Sequence, residues 1–158
     1  MSLDTIDIFD IGSLYNSSSQ GAWYRQNATG LIPEPRMDFC LISVSAADNS
    51  SHEIYLYGGR GNRDFFDDIY VLSLPSFTWT RVFTGESPRA FHTCHLVSNS
   101  LMMTIGGTND TNFLRGCDWE TMGVALYNLN TGVWGSVYNA SAGPYQVAEN
   151  ISQIIGGG

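Results

Sequence analysis

Short runs of apolar residues, separated by polar loops, occur along most of the chain and predict β-strands. Residues 54–82 read IYLYGGRGNRDFFDDIYVLSLPSFTWTRV: an apolar run, a Gly pair, a polar loop, a second apolar run and a Trp. Residues 103–137, MTIGGTNDTNFLRGCDWETMGVALYNLNTGVWGSV, follow the same order. Runs of this length, rich in β-branched and aromatic residues and bounded by Gly, Asn and Asp, are typical of strands. The hydrophobic pattern therefore predicts an all-β chain built from a repeated unit.

The two stretches share markers that set the period of the repeat. When the two stretches are aligned on Trp79 and Trp134, their Gly pairs are about 50 residues apart in the sequence. One more apolar run, DFCLISVSA or FHTCHLVSN, precedes each Gly pair, so each unit predicts four short strands joined by turns. The shared markers are Pro35-Arg36, Gly58-Gly59 and Trp79 in the first unit, and Pro88-Arg89, Gly106-Gly107 and Trp134 in the second.

A partial copy of the unit precedes these two. The runs TIDIFDI and GAWYRQ supply its last two strands, and Trp23 takes the place of Trp79. We therefore expect the chain to start within a repeat. The predicted domains are a partial unit at 1–34, complete units at 35–86 and 87–140, and a C-terminal segment at 141–158.

The C-terminal segment YQVAENISQIIGGG has a different period. Val147, Ile151, Ile154 and Ile155 recur at helical spacing, and the following Gly residues are placed to end a helix. We predict a short helix that packs on the last unit. The alternative is a further strand, with Gly156-Gly157 as a third Gly pair.

The repeated pattern resembles the kelch repeat, whose units are the blades of a β-propeller. The resemblance rests on Pro88-Arg89 with His92, on LYGG and TIGG, on Tyr70, and on the Trp residues with Val82 and Val137 downstream. The run CDWETMGVALYNLNTGVWGSVYN followed by GPY is also similar to the last blade of a fungal family of secreted or membrane-anchored kelch proteins. The resemblance implies a kelch-type β-propeller with two full four-stranded blades, a partial blade and a short C-terminal helix.

The recurring glycines and tryptophans are interpreted as fold residues. A Gly pair lets the backbone turn and approach its neighbour closely, and a Trp packs a large apolar face between adjacent sheets. These blade-structural residues are Gly58, Gly59, Gly106, Gly107, Trp23, Trp79 and Trp134.

The charge of the chain narrows the class of partner. The 158 residues carry a net charge of −8, and all seven basic residues are Arg, without a cluster. This distribution argues against nucleic acid or an anionic membrane as a partner. No apolar run reaches membrane-spanning length, and the acidic N-terminus lacks the features of a signal peptide. We expect any signal peptide or membrane anchor to lie outside this segment.

The glycosylation motif N-x-S/T occurs at six of the eleven asparagines. This frequency predicts a glycoprotein of the secretory pathway, located outside the cell or at its surface. The alternative is that Asn, Ser and Thr meet often because all three favour loops. The candidate N-glycosylation sites are Asn16, Asn27, Asn49, Asn109, Asn139 and Asn150.

Three cysteines leave one without a partner in this segment. Within one antiparallel blade, Cys94 near the start of the first strand and Cys117 before the third lie towards the same face. We predict a Cys94–Cys117 disulfide, since the loop can fold back to bring the two within bonding range. Cys40 is then either a buried thiol or paired with sequence outside the segment.

The sequence does not predict a metal site or a cofactor. In FHTCH, His92 and Cys94 lie on one face of a strand and His95 on the other, so the three cannot converge on one ion. The acidic runs RDFFDD and CDWE lack the alternating ligands of a calcium loop. Kelch-type copper oxidases and iron-dependent specifier proteins hold metals on propellers, but their ligand sets have no match here. We expect a non-catalytic module, with a metal oxidase whose ligands lie in missing blades, or an intracellular kelch scaffold, as alternatives.

The predicted ligand face carries the loops between the second and third strands of each blade, together with the loops that enter each blade. Arg and large aromatic residues are typical interface anchors, and loops on a rigid scaffold carry function. The partner is a protein or a cell-wall polysaccharide. The alternative is that Phe66 and Trp119 fold under their own loops. The candidate residues are Arg60, Arg63, Phe65, Phe66, Phe113, Arg115 and Trp119.

Two blades and part of a third cannot close a propeller, which needs about four to eight. Open sheet faces and edges favour association. We therefore expect missing blades of the same chain, or other copies of it, to complete the ring.

Overall fold

The computed structural model describes residues 1–16, 20–109 and 123–155, and these ranges contain three β-sheets and two short helices. The helices are α1 (Ser13–Asn16) and α2 (Glu149–Ile155). The strands are β1 (Thr5–Asp10), β2 (Ala22–Asn27), β3 (Thr29–Gly30), β4 (Cys40–Ser45), β5 (His52–Tyr57), β6 (Asp68–Leu74), β7 (Thr78–Thr84), β8 (Thr93–Val97), β9 (Leu101–Ile105), β10 (Val124–Asn128) and β11 (Val133–Gly135). The structure confirms the all-β prediction.

The sheet of the first complete repeat has the strand order β3-β7-β6-β5-β4. Strands β4 to β7 are antiparallel neighbours, and the two-residue β3 adds to the outer edge, parallel to β7. Strands β5 and β6 are buried on both faces, because successive side chains point to opposite sides of the sheet and each side is covered. Tyr55 and Val71 belong to one core and Leu56 and Leu72 to the other.

The sheet of the second repeat has the order β11-β10-β9-β8 and the same antiparallel topology. Tyr57 pairs with Ile69 in one sheet, and Ile105 pairs with Val124 in the other, each directly before the Gly pair. The two repeats in the sequence are thus two structural units in register. Both are four-stranded blades, as the pattern predicted.

The partial repeat forms a two-stranded antiparallel sheet of β1 and β2. Trp23 does not pack between two sheets within the described residues: its side chain is 69% exposed and lies against Phe9, with ring centroids 4.9 Å apart. Its role between blades stays a prediction. The difference between Trp23 and Trp79 follows from the sheet that covers each side chain. Trp79 packs against Leu3 and Ala28 on the side of the preceding sheet, whereas no sheet among the described residues precedes β1.

The Gly pairs at the ends of β5 and β9 adopt the same backbone conformation. The φ angles are 63° and 96° at Gly58 and Gly59, and 69° and 96° at Gly106 and Gly107. These left-handed values favour glycine. The close approach is also real, since a β-carbon on Gly59 would lie 2.8 Å from the carbonyl oxygen of Met37.

The predicted Cys94–Cys117 disulfide is wrong: Cys94 bonds to Cys40, with the two Cα atoms 5.5 Å apart. Cys40 opposes Tyr57, directly before its Gly pair, whereas Cys94 lies one residue beyond the equivalent position, Thr93. Since side chains alternate along a strand, this offset directs the two cysteines to opposite faces of their own sheets. Those faces meet between the two blades. Cys117 lies outside the described residues.

The C-terminal helix is confirmed, and it covers the core between the two complete blades. Ile151 is fully buried there, and Tyr145, just before the helix, donates to or accepts from the Tyr55 hydroxyl at 3.1 Å. Trp134 packs in the same core against Tyr57 and Tyr127. In the described ranges, neither helix is long and apolar enough to cross a membrane.

Candidate functional site

The Pro-Arg pairs of the repeat build the framework beneath the candidate ligand face. Arg36 and Arg89 are both almost fully buried. Each guanidinium donates a hydrogen bond of 3.1 Å to the carbonyl of the first residue of its own Gly pair, Gly58 or Gly106. In the sequence these arginines are recognisable only as markers of the repeat. Their recurrence at a fixed distance from the Gly pair was the signal of this structural role.

Arg36 also neutralises a partly buried carboxylate. Its guanidinium forms a bidentate ion pair with Asp68, at the start of β6, and lies 3.8 Å above the centre of the Phe66 ring. A planar guanidinium suits both the paired carboxylate oxygens and the aromatic face. Phe66 therefore packs against Arg36 beneath its own loop. This agrees with the alternative interpretation of Phe66, in which its ring is buried under the loop and does not contact a ligand.

Backbone hydrogen bonds connect the loop after β5 to the segment that enters the next blade. Gly59 N–H donates to the Arg89 carbonyl at 2.8 Å, and Arg89 N–H donates to the Phe66 carbonyl at 3.0 Å. Phe66 N–H in turn donates to the Gly59 carbonyl at 2.9 Å. We call residues 36–38, 60–66 and 88–91 together the loop face. These bonds fix the loop face across two blades.

An Arg and apolar side chains are exposed together on the loop face. Arg60 donates from Nε to Asp38 at 2.7 Å, and its guanidinium lies 5.0 Å from the centre of the Phe91 ring. About a third of the Arg60 side chain is exposed, and Phe91 and Met37 are 40% and 44% exposed. The blade entered by Asp38 and the blade entered by Phe91 thus share one surface.

Asp38 and Phe91 occupy the same position of the repeat, three residues after the Pro. Both have left-handed backbones, with φ of 58° and 61°. This conformation is unfavourable for residues other than Gly, and for a bulky residue it is a clear outlier. Strain of this kind collects at functional sites, where the surrounding structure maintains it.

The remaining candidate residues divide into two groups. Arg63 is exposed at the tip of its loop, and Phe65 is half-buried beside it, paired through its backbone with Arg60. Phe113, Arg115 and Trp119 lie outside the described residues. That the loop face binds a ligand stays a prediction.

Five of the six glycosylation motifs have described side chains, and all five Asn residues are exposed. Exposure is what attachment of a glycan requires, and glycosylation of these sites stays a prediction. Only the backbone of Asn16 is described. The exposed Asn residues are Asn27, Asn49, Asn109, Asn139 and Asn150.

The Cys40–Cys94 disulfide lies beside the buried His92. The sequence placed His92 near Cys94 but did not place Cys40 near either. The ligand atoms of Cys40, His92 and Cys94 are within 4.8 Å of one another. Burial and the nearby Arg89 charge lower the pKa of His92 to about 4, while the backbone groups of Tyr57 and Ala90 oppose that shift. The imidazole is therefore neutral near pH 7. The trio was missed because Cys40 comes from the adjacent blade.

A buried acid lies in the same interblade core, at the opposite end of β5 from the Gly pair. Glu53 has no exposed surface, and desolvation raises the pKa of its carboxyl, with opposing effects from Ser51 and His52. Desolvation also raises the pKa values of Tyr55 and Tyr145, which hydrogen-bond to each other. A buried carboxyl with a raised pKa favours its neutral form.

The observed four-stranded blades agree with comparisons of the sequence with known proteins. A family profile described as the KLHDC2/KLHL20/DRC7 Kelch-repeats domain matches residues 7–156. That match covers nearly the whole chain, including both complete blades and α2.

Individual relatives match between 77% and 97% of the chain but are themselves much longer. A "Kelch repeat-containing protein" of Arthroderma benhamiae is 32% identical over 96% of the chain and 22% of its own length. "Acyl-CoA-binding domain-containing protein 4" of Arabidopsis thaliana is 22% identical over 97% of the chain and 20% of its own length. "Kelch domain-containing protein 1" of Homo sapiens is 25% identical over 77% of the chain and 28% of its own length. The chain thus spans 20–28% of the length of these relatives.

Kelch repeats generally serve as scaffolds for protein binding, and the family is generally non-catalytic. The repeated Pro-Arg and Gly pairs, the four-stranded sheets and the family match agree, and the chain belongs to the kelch-repeat family.

Proposed function

We propose that this chain is the binding module of an extracellular or cell-surface protein and that its loop face binds a protein partner. The observation that carries the proposal is the shared surface of Arg60, Asp38 and Phe91, built from two blades. Arg and aromatic residues dominate the binding energy of protein interfaces. Met37 beside them adds an adaptable apolar contact.

The position of Arg60 suits it to recognition. Its guanidinium is held by Asp38 on one side and by the Phe91 ring on the other, so little conformational entropy is lost when a partner binds. The remaining N–H donors suit backbone carbonyls or carboxylates of a partner. Phe91 and Met37 offer an apolar surface next to those donors.

The proposed location rests on the exposed glycosylation motifs and on the Cys40–Cys94 disulfide. Disulfides persist in oxidising compartments and are rare in the cytosol. An intracellular kelch scaffold is the competing location, and a cell-wall polysaccharide is the competing ligand.

Binding of the full-length protein to a cell-surface fraction of its own organism tests this proposal. We expect binding to be lost after protease treatment of the fraction and retained after glycanase treatment. Arg60→Ala and Phe91→Ala should each weaken binding by about 1–2 kcal/mol, roughly 5- to 30-fold. Arg81→Ala is the matched control, because Arg81 is an exposed arginine of β7, outside the loop face.

The opposite enzyme sensitivity would replace the protein partner with a polysaccharide. Equal binding by the Arg60, Phe91 and Arg81 variants would contradict a role for the loop face. An unglycosylated product with reduced Cys40 and Cys94 would overturn the proposed location.

A further inference from the structure

We infer that Cys40, Cys94 and His92 form a redox-controlled binding site for a thiophilic cation, Cu⁺ or Zn²⁺. In the oxidised state the two cysteines form the disulfide, and in the reduced state their thiolates and the imidazole bind the ion. This inference goes beyond the proposed binding of a partner by the loop face.

The side chains supply the ligands that such an ion prefers. Thiolate sulfur selects Cu⁺ and Zn²⁺ over harder cations, and imidazole suits both. Two cysteines and one histidine are also a known zinc ligand set with a fourth position open. Their ligand atoms lie within 4.8 Å of one another. Tetrahedral zinc, with bonds of about 2.0–2.3 Å, spaces its ligands by roughly 3.3–3.8 Å, so after reduction the two sulfur atoms must move apart and the imidazole must approach them.

His92 is the independent observation that favours a ligand. The residue is 94% buried, since its exposed fraction is 6%. Within the described part of the chain neither Nδ1 nor Nε2 makes a hydrogen bond of good geometry, although backbone groups of Tyr57 and Ala90 lie near the ring and raise its pKa. A buried polar group without a partner costs free energy, so its retention calls for a reason. A metal bound at one ring nitrogen would supply that partner.

The site lies between two elements that hold it in place. Cys40 begins β4, Cys94 lies in β8, and these strands belong to different blades. The ring of Tyr57 packs against His92, with centroids 4.9 Å apart, and its hydroxyl donates to Asp67 at 3.3 Å. Tyr57 and Asp67 also line a cavity of about 190 Å³ together with Glu86.

The redox step requires a thiol reductant, of the glutathione or thioredoxin class. Two reductant thiols transfer two electrons and two protons: the Cys40–Cys94 S–S bond breaks, two S–H groups form, and the reductant becomes a disulfide. Binding of the ion then releases the two thiol protons, and metal–sulfur bonds replace the S–H bonds. Because only the reduced form binds, the ion shifts the equilibrium towards the dithiol.

Metal titration of the protein in both redox states tests the inference, with Cys117→Ser as the background so that the pair is the only source of thiols. Co²⁺ is the spectroscopic probe for a zinc site, and Cu⁺ is titrated against a chromogenic chelator. We expect the reduced protein to bind one equivalent of one of these ions, with thiolate charge-transfer bands. The oxidised protein should bind neither.

His92→Phe should weaken binding by more than about 100-fold, because loss of a direct ligand exceeds the effect of losing its outer partners. His95→Phe is the matched control: it changes an exposed histidine on the other face of the same blade, and we expect unchanged binding. Circular dichroism checks the fold of both variants. If His92→Phe fails to fold, Cys40→Ser gives the same test, with binding lost although His92 remains.

Failure of the reduced protein to bind either ion would overturn the inference. Equal binding by the reduced parent and a folded His92→Phe variant, or by Cys40→Ser, would also overturn it. None of these results bears on binding by the loop face, which is measured separately.

Discussion

At the scale of residues, equivalent positions of the two repeats perform the same structural task in different surroundings. Arg36 and Arg89 each donate to the carbonyl of a Gly pair, but Asp68, the carboxylate partner of Arg36, is replaced by Gly123. The Gly pairs likewise share φ angles but not neighbours. Sequence similarity between repeats therefore predicts backbone conformation better than it predicts contacts.

Gly58→Ala should destabilise the protein more than Gly106→Ala. A methyl group on Gly58 would collide with the Arg89 carbonyl oxygen, whereas a β-carbon on Gly106 meets no described atom within 4 Å. Both variants pay about 1–2 kcal/mol for a left-handed alanine, and the collision adds about 1–3 kcal/mol for Gly58 alone. Urea unfolding measures the difference. Equal losses of stability in the two variants would mean that contact with the next blade does not constrain the backbone at Gly58.

Glu53→Gln should stabilise the protein at pH 7. Burial raises the pKa of Glu53 in the folded state, so its stabilising contribution is present at low pH and lost as pH rises through the folded pKa. The neutral amide of Gln does not lose stability as the pH rises. The loss that it avoids is on the order of 1–3 kcal/mol in the free energy of unfolding, as for a buried polar group without a partner. Thermal unfolding at pH 7 and pH 4 checks this, and the advantage of the variant should shrink at pH 4. If Glu53→Gln were less stable than the parent protein at pH 7, neighbouring groups would have to stabilise the ionised Glu53 carboxylate.

At the scale of elements, the blades are held by the faces they turn towards each other. Trp79 is 3% exposed, donates from Nε1 to the Leu3 carbonyl at 3.0 Å, and packs on the preceding sheet. Trp134 packs at the equivalent place one blade later, against Tyr57. The Cys40–Cys94 bond joins β4 to β8 across the same interface. Interblade contacts are therefore aromatic, apolar and covalent.

Trp79→Ala should cost about 3–5 kcal/mol, the usual loss for a large buried aromatic residue. Trp23→Ala is the matched control at the equivalent position, and it should cost less than about 1 kcal/mol because the side chain is largely exposed. Unfolding of both variants in denaturant gives the comparison. A loss at Trp23 equal to that at Trp79 would show that another sheet covers β1 and β2 in the intact protein.

At the scale of the whole molecule, the periodic features were predictable from sequence and the contacts between blades were not. The four-stranded units and α2 follow from hydrophobic period and Gly placement, which are local signals. The Cys40–Cys94 pair depends on which sheet faces meet, a long-range property. The signal lay in a one-residue offset between two strands, visible only after the repeats are aligned on their Gly pairs.

The loop face depends on the same long-range packing. Arg60 was predicted as a candidate, but its partners Asp38 and Phe91 were missed because they belong to segments that enter two different blades. Their shared place after Pro-Arg was visible in the sequence. The left-handed backbone at both positions was not predictable from the sequence, since Phe disfavours that conformation and Asp tolerates it without requiring it.

The most direct test of the central claim is a hydrogen-exchange footprint of the full-length protein with and without a cell-surface protein fraction. We predict protection in the loop face, residues 36–38, 60–66 and 88–91, and no change in the turns at 46–51 and 75–77, at the other end of the same strands. Arg60→Ala should remove the protection and Arg81→Ala should keep it. Protection confined to the turns at 46–51 and 75–77, or unchanged by Arg60→Ala, would contradict a binding site on the loop face.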